Sequence, residues 1–499
     1  MIESFAAQDS SRTASRIAAR RLALLFAAAL VFHCLGNWAL PLIDRDEPRF
    51  AEASREMLQR GDYVVPFFNG RERFDKPPLI YWLQCASYRV LGENEFAARL
   101  PAAISAALLA VALAAWGARL FDPAAGWRAA IVFTTCMQTL IHARGAVADM
   151  TMVLFVTLAA WAGWEWHRAA STGAGARHEW GFALALGGSL GLGFLAKGPI
   201  ALFPLGMLWW SGLPRVASPR RHALQWACVL LLALGIVAWW GIPALVRTHG
   251  EFARIGLGKH VVARSLAPLE GHGGGSMWGY LAALPFFFLT IWGTFFPWSI
   301  WLAGVTRHAF ARAAACGSIE RYLFVGSLLC VGIFTLVRTK LPHYILPAFP
   351  FLALLVAAWW RDANRPAETF RRTAVASVAI CIVLFLAGIP LAAMLFPTER
   401  LYRQAAPFLR RNMAFASVEY DEPSLIWIFR RSVDAFREKV DEDELAEWLA
   451  KPGPRFVVLT EPALARLHPP PDPAWKVLHV AGWHAVKGRI VRLALIVKP

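Results

Sequence analysis

Long uninterrupted apolar runs decide most of what this chain can fold into. About twenty nonpolar residues at 22–43 follow a basic stretch (Arg12, Arg16, Arg20, Arg21). Further runs fall near 97–119, 126–141, 149–166, 180–196, 198–213, 222–245, 277–305, 322–338, 343–360 and 373–396. Each is roughly long enough to cross a hydrocarbon core of about 30 Å. The composition agrees, with 57% hydrophobic and 17% charged residues, where soluble domains average about 45–50% and about 25%. A soluble enzyme, a disordered chain and a disulfide scaffold are excluded. The expected fold is a mostly α polytopic membrane protein with about 11–13 transmembrane helices, the extra spans coming from 77–92 and the over-long 277–305. The first run contains Trp38 and lacks an A-x-A cleavage site before Asp44, so it is read as a retained span.

The net charge of +17 is topological. Residues 398–499 hold 16 Lys/Arg against 13 Asp/Glu, which leaves nearly all the excess at the ends of the apolar runs, and no nucleic-acid partner is expected. With the amino end inside, the cytoplasmic loops carry Arg119/Arg128, Arg168/Arg177, Arg215/Arg220/Arg221, Arg307/Arg312/Arg321 and Arg361/Arg365/Arg371/Arg372. An odd span number then places loops 44–96, 248–276 and 338–343, and the region 398–499, on the outer face. The seven cysteines form no C-x-x-C pair and read as core residues. The expected division is a membrane domain, 1–397, and an outer α/β domain, 398–499. In the latter, 441–449 reads as helix and 425–429, 456–460 and 490–497 read as strands. No internal repeat is evident.

The densest stretch is the first outer loop: Asp44-Arg-Asp-Glu-Pro-Arg-Phe-Ala-Glu-Ala-Ser-Arg-Glu-Met-Leu58, then Gly61-Asp62, Pro66, Asn69-Gly70 and Phe74-Asp-Lys-Pro-Pro-Leu-Ile-Tyr-Trp-Leu83. Asp46 or Glu47 is placed to cap a helix with Pro48 in its first turn and Gly61 at its end. Phe50, Ala53, Ser54, Met57 and Leu58 would share one face, and Arg49, Glu52 and Glu56 the other. That pattern predicts an interfacial helix lying along the membrane. Asp46 and Glu47 as a plain cap, with Lys76 snorkelling, is the bland alternative. Ionisable residues gathered at a bilayer edge, next to a second apolar helix, favour a cavity and a partner.

This string resembles the first periplasmic loop of bacterial lipid A aminoarabinose transferases, relatives of the protein O-mannosyltransferases (glycosyltransferase families 83 and 39). Leu195-Ala-Lys-Gly-Pro199 and Thr339-Lys-Leu-Pro-His-Tyr-Ile-Leu-Pro347 support the likeness. The resemblance implies a GT-C glycosyltransferase fold with periplasmic juxtamembrane helices. It also implies an enzyme of the bacterial inner membrane that takes a sugar from undecaprenyl phosphate, with lipid A or protein as acceptor. By the same likeness Asp46, with Glu47 beside it, matches the acidic group needed for transfer. Arg49, Lys76 and Tyr344 match residues that hold the lipid-linked phosphate. Asp75 stands where the relatives have a metal-binding Glu, and Arg73 where they have a site-lining Tyr. A zinc site would be completed by His260 and His272, which align only loosely.

Lys197 and Lys340 are further candidates for the phosphate, though Lys197 could equally snorkel. His343 either closes a helix end or joins the site, and Arg144 with Asp149 reads as a local pair. A lipid-linked saccharide flippase is the competing class. It calls for charges or broken helices at mid-depth, whereas here the charges cluster at the outer ends.

Overall fold

The computed structural model describes residues 17–499, apart from 174, 257, 259–276 and 469. The chain packs as two compact units that do not follow chain order. The first comprises residues 1–34, 74–80 and 101–381, the second 35–73, 81–100 and 382–499.

The described residues of the first unit are helical apart from connecting turns. Among the described residues of the whole chain, seven helices are long and apolar enough to cross a membrane: Glu95–Leu120, Ala176–Lys197, Pro219–Arg247, Met277–Thr294, Ile319–Leu336, Pro342–Asp362 and Ala367–Ala393. The chain is a multi-pass membrane protein. The shortfall from the expected count has local causes. Cys136 divides one expected span into Pro123–Thr135 and Met137–Ala143. Gly198-Pro199 turns another into a 3-10 turn and the short helix Phe203–Trp210. The first helix, Ala19–Cys34, ends just before Gly36, whose φ of 74° only glycine adopts readily. Close helix approach rests on small residues, as lipid-embedded packing requires. A Cβ on Gly126 would lie 2.2 Å from the Ala114 carbonyl oxygen. The core between these helices is aromatic, with Trp116, Phe133, Trp298, Phe349 and Trp360 fully buried.

The second unit is built on a five-stranded sheet of order β4-β3-β5-β7-β6, with β3 Ala414–Val418, β4 Arg437–Lys439, β5 Arg455–Thr460, β6 Lys476–His484 and β7 Arg489–Lys498. β3 runs parallel to both β4 and β5, and β7 antiparallel to β5 and β6. The expected strands at 456–460 and 490–497 and the helix near 441–449 are present, the last as Leu445–Ala450. Residues 425–429 depart from expectation: Pro423–Phe429 is a helix buried on every side. A short apolar run carries no period that separates a buried helix from a buried strand, and Pro423 in the first turn decides for helix.

Against that helix packs the charged helix of the first loop, Asp46–Arg60, hereafter the motif helix. Phe50, Ala51, Glu52, Ala53, Ser54, Arg55, Glu56 and Met57 are all buried. The polar face of this helix is covered by protein, where Glu52 and Glu56 meet Arg430 of the C-terminal region.

Candidate active site

The motif helix starts at Asp46 with no side-chain cap and ends at Gly61, left-handed at φ 66°. Glu47 does not cap it. Its two oxygens take the Nε and Nη2 of Arg99 at 2.8 and 2.7 Å, and Oε2 also accepts the Ile43 N–H at 2.8 Å. Arg99 uses its remaining donors on the carbonyls of Asn37, Leu40 and Pro41. A buried fork so saturated ties Glu47 to Arg99 at the start of the helix.

The next two acids are spent in the same way. Glu52 pairs with Arg55 and with Arg430, and Arg55 lies over the Trp427 ring at 4.5 Å. Glu56 accepts the backbone N–H groups of Asn69 and Gly70 at 2.6 and 3.1 Å. These two form the turn of a small hairpin, β1 Phe67–Phe68 with β2 Arg71–Glu72. Both are left-handed, at φ 54° and 74°, as an Asn-Gly hairpin turn demands. A side chain at position 70 would meet the Phe436 ring at 2.9 Å. The Asn69 amide accepts from the Arg437 N–H and donates to the Arg437 carbonyl, both at 2.8 Å, so it pairs with edge strand β4 as a backbone would. Burial raises the Glu56 carboxyl above its usual value, and the Glu52 charge adds to this.

Two charged residues of the helix stay outside this network. Asp46 is exposed and Arg49 half-buried, and among the described residues neither makes a hydrogen bond or ion pair. Arg73 donates to the Tyr81 hydroxyl at 3.2 Å and lies 5.5 Å from the Phe50 ring, which sets an aromatic and cationic flank beside the helix.

The first unit carries the other candidates. Lys76 is half-buried, its ammonium 3.2 Å from the Asp75 carbonyl oxygen. Lys197 binds Asp149 at 2.5 Å, which corrects the expected Arg144–Asp149 pair; Arg144 instead donates to the carbonyls of Phe32 and His33. His142 and His343 complete a group with Asp149 in which one ligand atom of each lies within 4.8 Å of the others. The two imidazoles sit 4.9 Å apart, and Tyr344 packs on His343 at 5.1 Å. Lys340 is buried and gives its three donors to the carbonyls of Phe334, Thr335 and Val337. It closes the carboxyl end of helix Ile319–Leu336, the place where a cation best meets orphan carbonyls and the helix dipole. Its expected phosphate role has no donor left to serve it.

Of the expected zinc ligands, His260 and His272 lie outside the described residues, and Asp75 alone gives no ligand set. Two histidines and a carboxylate suit zinc in principle; in the His142–Asp149–His343 group, however, the Lys197 ammonium already neutralises the carboxylate. The residues that hold the motif helix (Arg99, Glu422, Ser424 and Arg430) were not singled out in the sequence. An arginine in an otherwise apolar helix was the one signal, at Arg99.

Over this geometry the chain matches known proteins. Residues 75–241 match the family described as dolichyl-phosphate-mannose-protein mannosyltransferase. An undecaprenyl phosphate-alpha-4-amino-4-deoxy-L-arabinose arabinosyl transferase of Sodalis glossinidius is 34% identical over 317 residues, 63% of this chain and 55% of that one. A protein of the same name from Pectobacterium carotovorum is 32% identical over 349 residues, 67% of this chain and 58% of that one. The chain is a homologue of these proteins. It spans a little over half the length of the curated relatives it matches. The crystal structure of ArnT from Cupriavidus metallidurans bound to undecaprenyl phosphate superposes with a TM-score of 0.74 at 20% identity, covering 96% of this chain and 98% of that one. The fold is thus the GT-C fold of that protein, with its small C-terminal sheet domain.

Proposed function

We propose that the chain is a glycosyltransferase that moves 4-amino-4-deoxy-L-arabinose from undecaprenyl phosphate to lipid A, at the periplasmic face of the bacterial inner membrane. The observation that carries this reading is the unspent pair on the motif helix. Every other acid there is neutralised by a buried partner, while Asp46 and Arg49 remain available to a ligand. The names of the homologous proteins supply the donor and the sugar, and the positive-inside distribution of arginines supplies the face.

Transfer breaks the bond between the sugar carbon and the phosphate oxygen, so negative charge grows on the departing phosphate and positive charge on the sugar. Arg49 meets the first need as a cation, a contact of this kind contributing about 2.7–4 kcal/mol in a water-poor site; Lys76 is the second candidate, on the family resemblance alone. Asp46 meets the second by facing the oxocarbenium-like carbon. A lipid A phosphate is already ionised near neutral pH and needs no base, so positioning dominates. The match of residues 75–241 to a mannosyl-protein transferase family favours a second reading, mannose to a protein hydroxyl, in which Asp46 would also take the hydroxyl proton.

The test is mass spectrometry of lipid A and envelope proteins from cells carrying the wild type or Asp46→Asn at equal protein level. The expected outcome is aminoarabinose on lipid A in the wild type, with turnover about 10²–10⁴-fold lower in the variant. Hexose on protein would select the second reading. Unchanged transfer in the variant would remove Asp46 from the chemistry.

A further inference from the structure

The segment that leads into the motif helix is gripped at a point the proposed chemistry does not use. Asp44 lies two residues before Asp46, and both its oxygens are engaged by one residue of the C-terminal region. Oδ1 accepts the Ser424 N–H at 2.8 Å and Oδ2 meets the Ser424 hydroxyl at 2.6 Å, across 380 positions of sequence. Ser424 sits in the first turn of helix Pro423–Phe429, whose own flanking residue, Glu422, makes no capping bond. Glu422 instead binds Arg45 at 3.5 Å and the His484 Nε2 at 3.0 Å. Residues 44 and 45 are therefore both fastened to residues 422–424.

We propose that Asp44 is a positioning residue for the proposed reaction: through its grip on Ser424 it holds the segment entering the motif helix, and with it Asp46 and Arg49. This rests on the function proposed above.

The groups acting on Asp44 can be named on every side. Burial pushes its carboxyl up to about 7, the Glu422 charge adds to that, and the two Ser424 bonds and Arg49 oppose it. The Tyr420 ring with its hydroxyl, Arg45 and His484 complete the surroundings. Below about pH 7 the neutral acid keeps the grip, one oxygen accepting the Ser424 N–H and its own O–H donating to the Ser424 hydroxyl. Above it the carboxylate accepts both bonds. Because the folded-state value is raised, the neutral form favours folding. That contribution is complete below the ordinary carboxylate range and is lost as pH rises through about 7.

The test uses the full chain in lipid nanodiscs and undecaprenyl phosphate as the probe. Affinity is measured from pH 5.5 to 8.5 for the wild type, Asp44→Asn and Asp44→Ala, with backbone hydrogen exchange over 43–60 followed in the same samples. Asparagine preserves both bonds without the charge. Exchange in Asp44→Asn should match the wild type, while Asp44→Ala should exchange at least tenfold faster at 44–50. Affinity for undecaprenyl phosphate should fall at least threefold in Asp44→Ala and stay at the wild-type value in Asp44→Asn. Unaltered exchange or unaltered affinity in Asp44→Ala overturns the positioning role. A wild type that binds no undecaprenyl phosphate at any pH, with the exchange pattern intact, overturns the proposed function and leaves the grip standing.

Discussion

The motif helix and the polar group at the ends of the membrane helices spend charge in opposite ways. Glu47, Glu52 and Glu56 each hold two or more partners and are buried. Asp149 has one ion-pair partner, Lys197, with two histidines at its margin. On the motif helix the density of acids is architecture, and the chemistry is left to the two residues nothing claims. At Asp149 the charges are few and convergent, one ammonium on one carboxylate with two imidazoles beside it. A run of charged residues in a sequence therefore marks a site without saying which of its members act.

Glu52→Ala should break this contrast hardest. It strands Arg55 and Arg430 in a buried setting, and removing one partner of such a network costs about 3–5 kcal/mol. Thermal unfolding of the purified protein should show a large loss, and a melting temperature within a degree of wild type would mean the network is idle. Lys197→Met should cost less, about 3 kcal/mol, because it strands one carboxylate instead of two guanidiniums. Adding Asp149→Asn should recover most of the loss. Additivity of the two substitutions would show that the pair is not coupled. The smallest change in stability belongs to Arg49→Ala, within about 0.5 kcal/mol. The same variant should nevertheless bind undecaprenyl phosphate about tenfold more weakly, equivalent to about 1.4 kcal/mol. Normal affinity with normal folding would move the phosphate contact away from this helix.

Much of the architecture was legible because apolar run length and arginine placement are local signals. The apolar segments and the strands at 456–460 and 490–497 could each be read from a few neighbouring residues. Residues 425–429 could not, since a fully buried heptad of apolar side chains has no solvent face to reveal its period. The cover over the polar face of the motif helix was hidden for a different reason. A helical wheel reports which residues are polar, and whether water or another protein surface meets them depends on Arg430 and Ser424, far away in sequence. Lys340 was ambiguous in the same sense: a lysine after a helix serves the helix end or a ligand, and only the three carbonyls around it decide.

The pairing of Asn69 with Arg437 spans 368 positions, and this separation bears on how the chain is made. The acids of the motif helix are synthesised early, but Arg430 and the edge strand that Asn69 covers come some 370 residues later. Until then Glu52 and Glu56 lack the Arg430 they meet in the folded chain, and when β4 appears its open edge has an intended neighbour waiting. Contacts of such long range are slow to close and leave exposed edges prone to the wrong pairing. Truncation near the carboxyl end would thus damage the region of Asp46 from a distance, through assembly order rather than through any lost ligand contact.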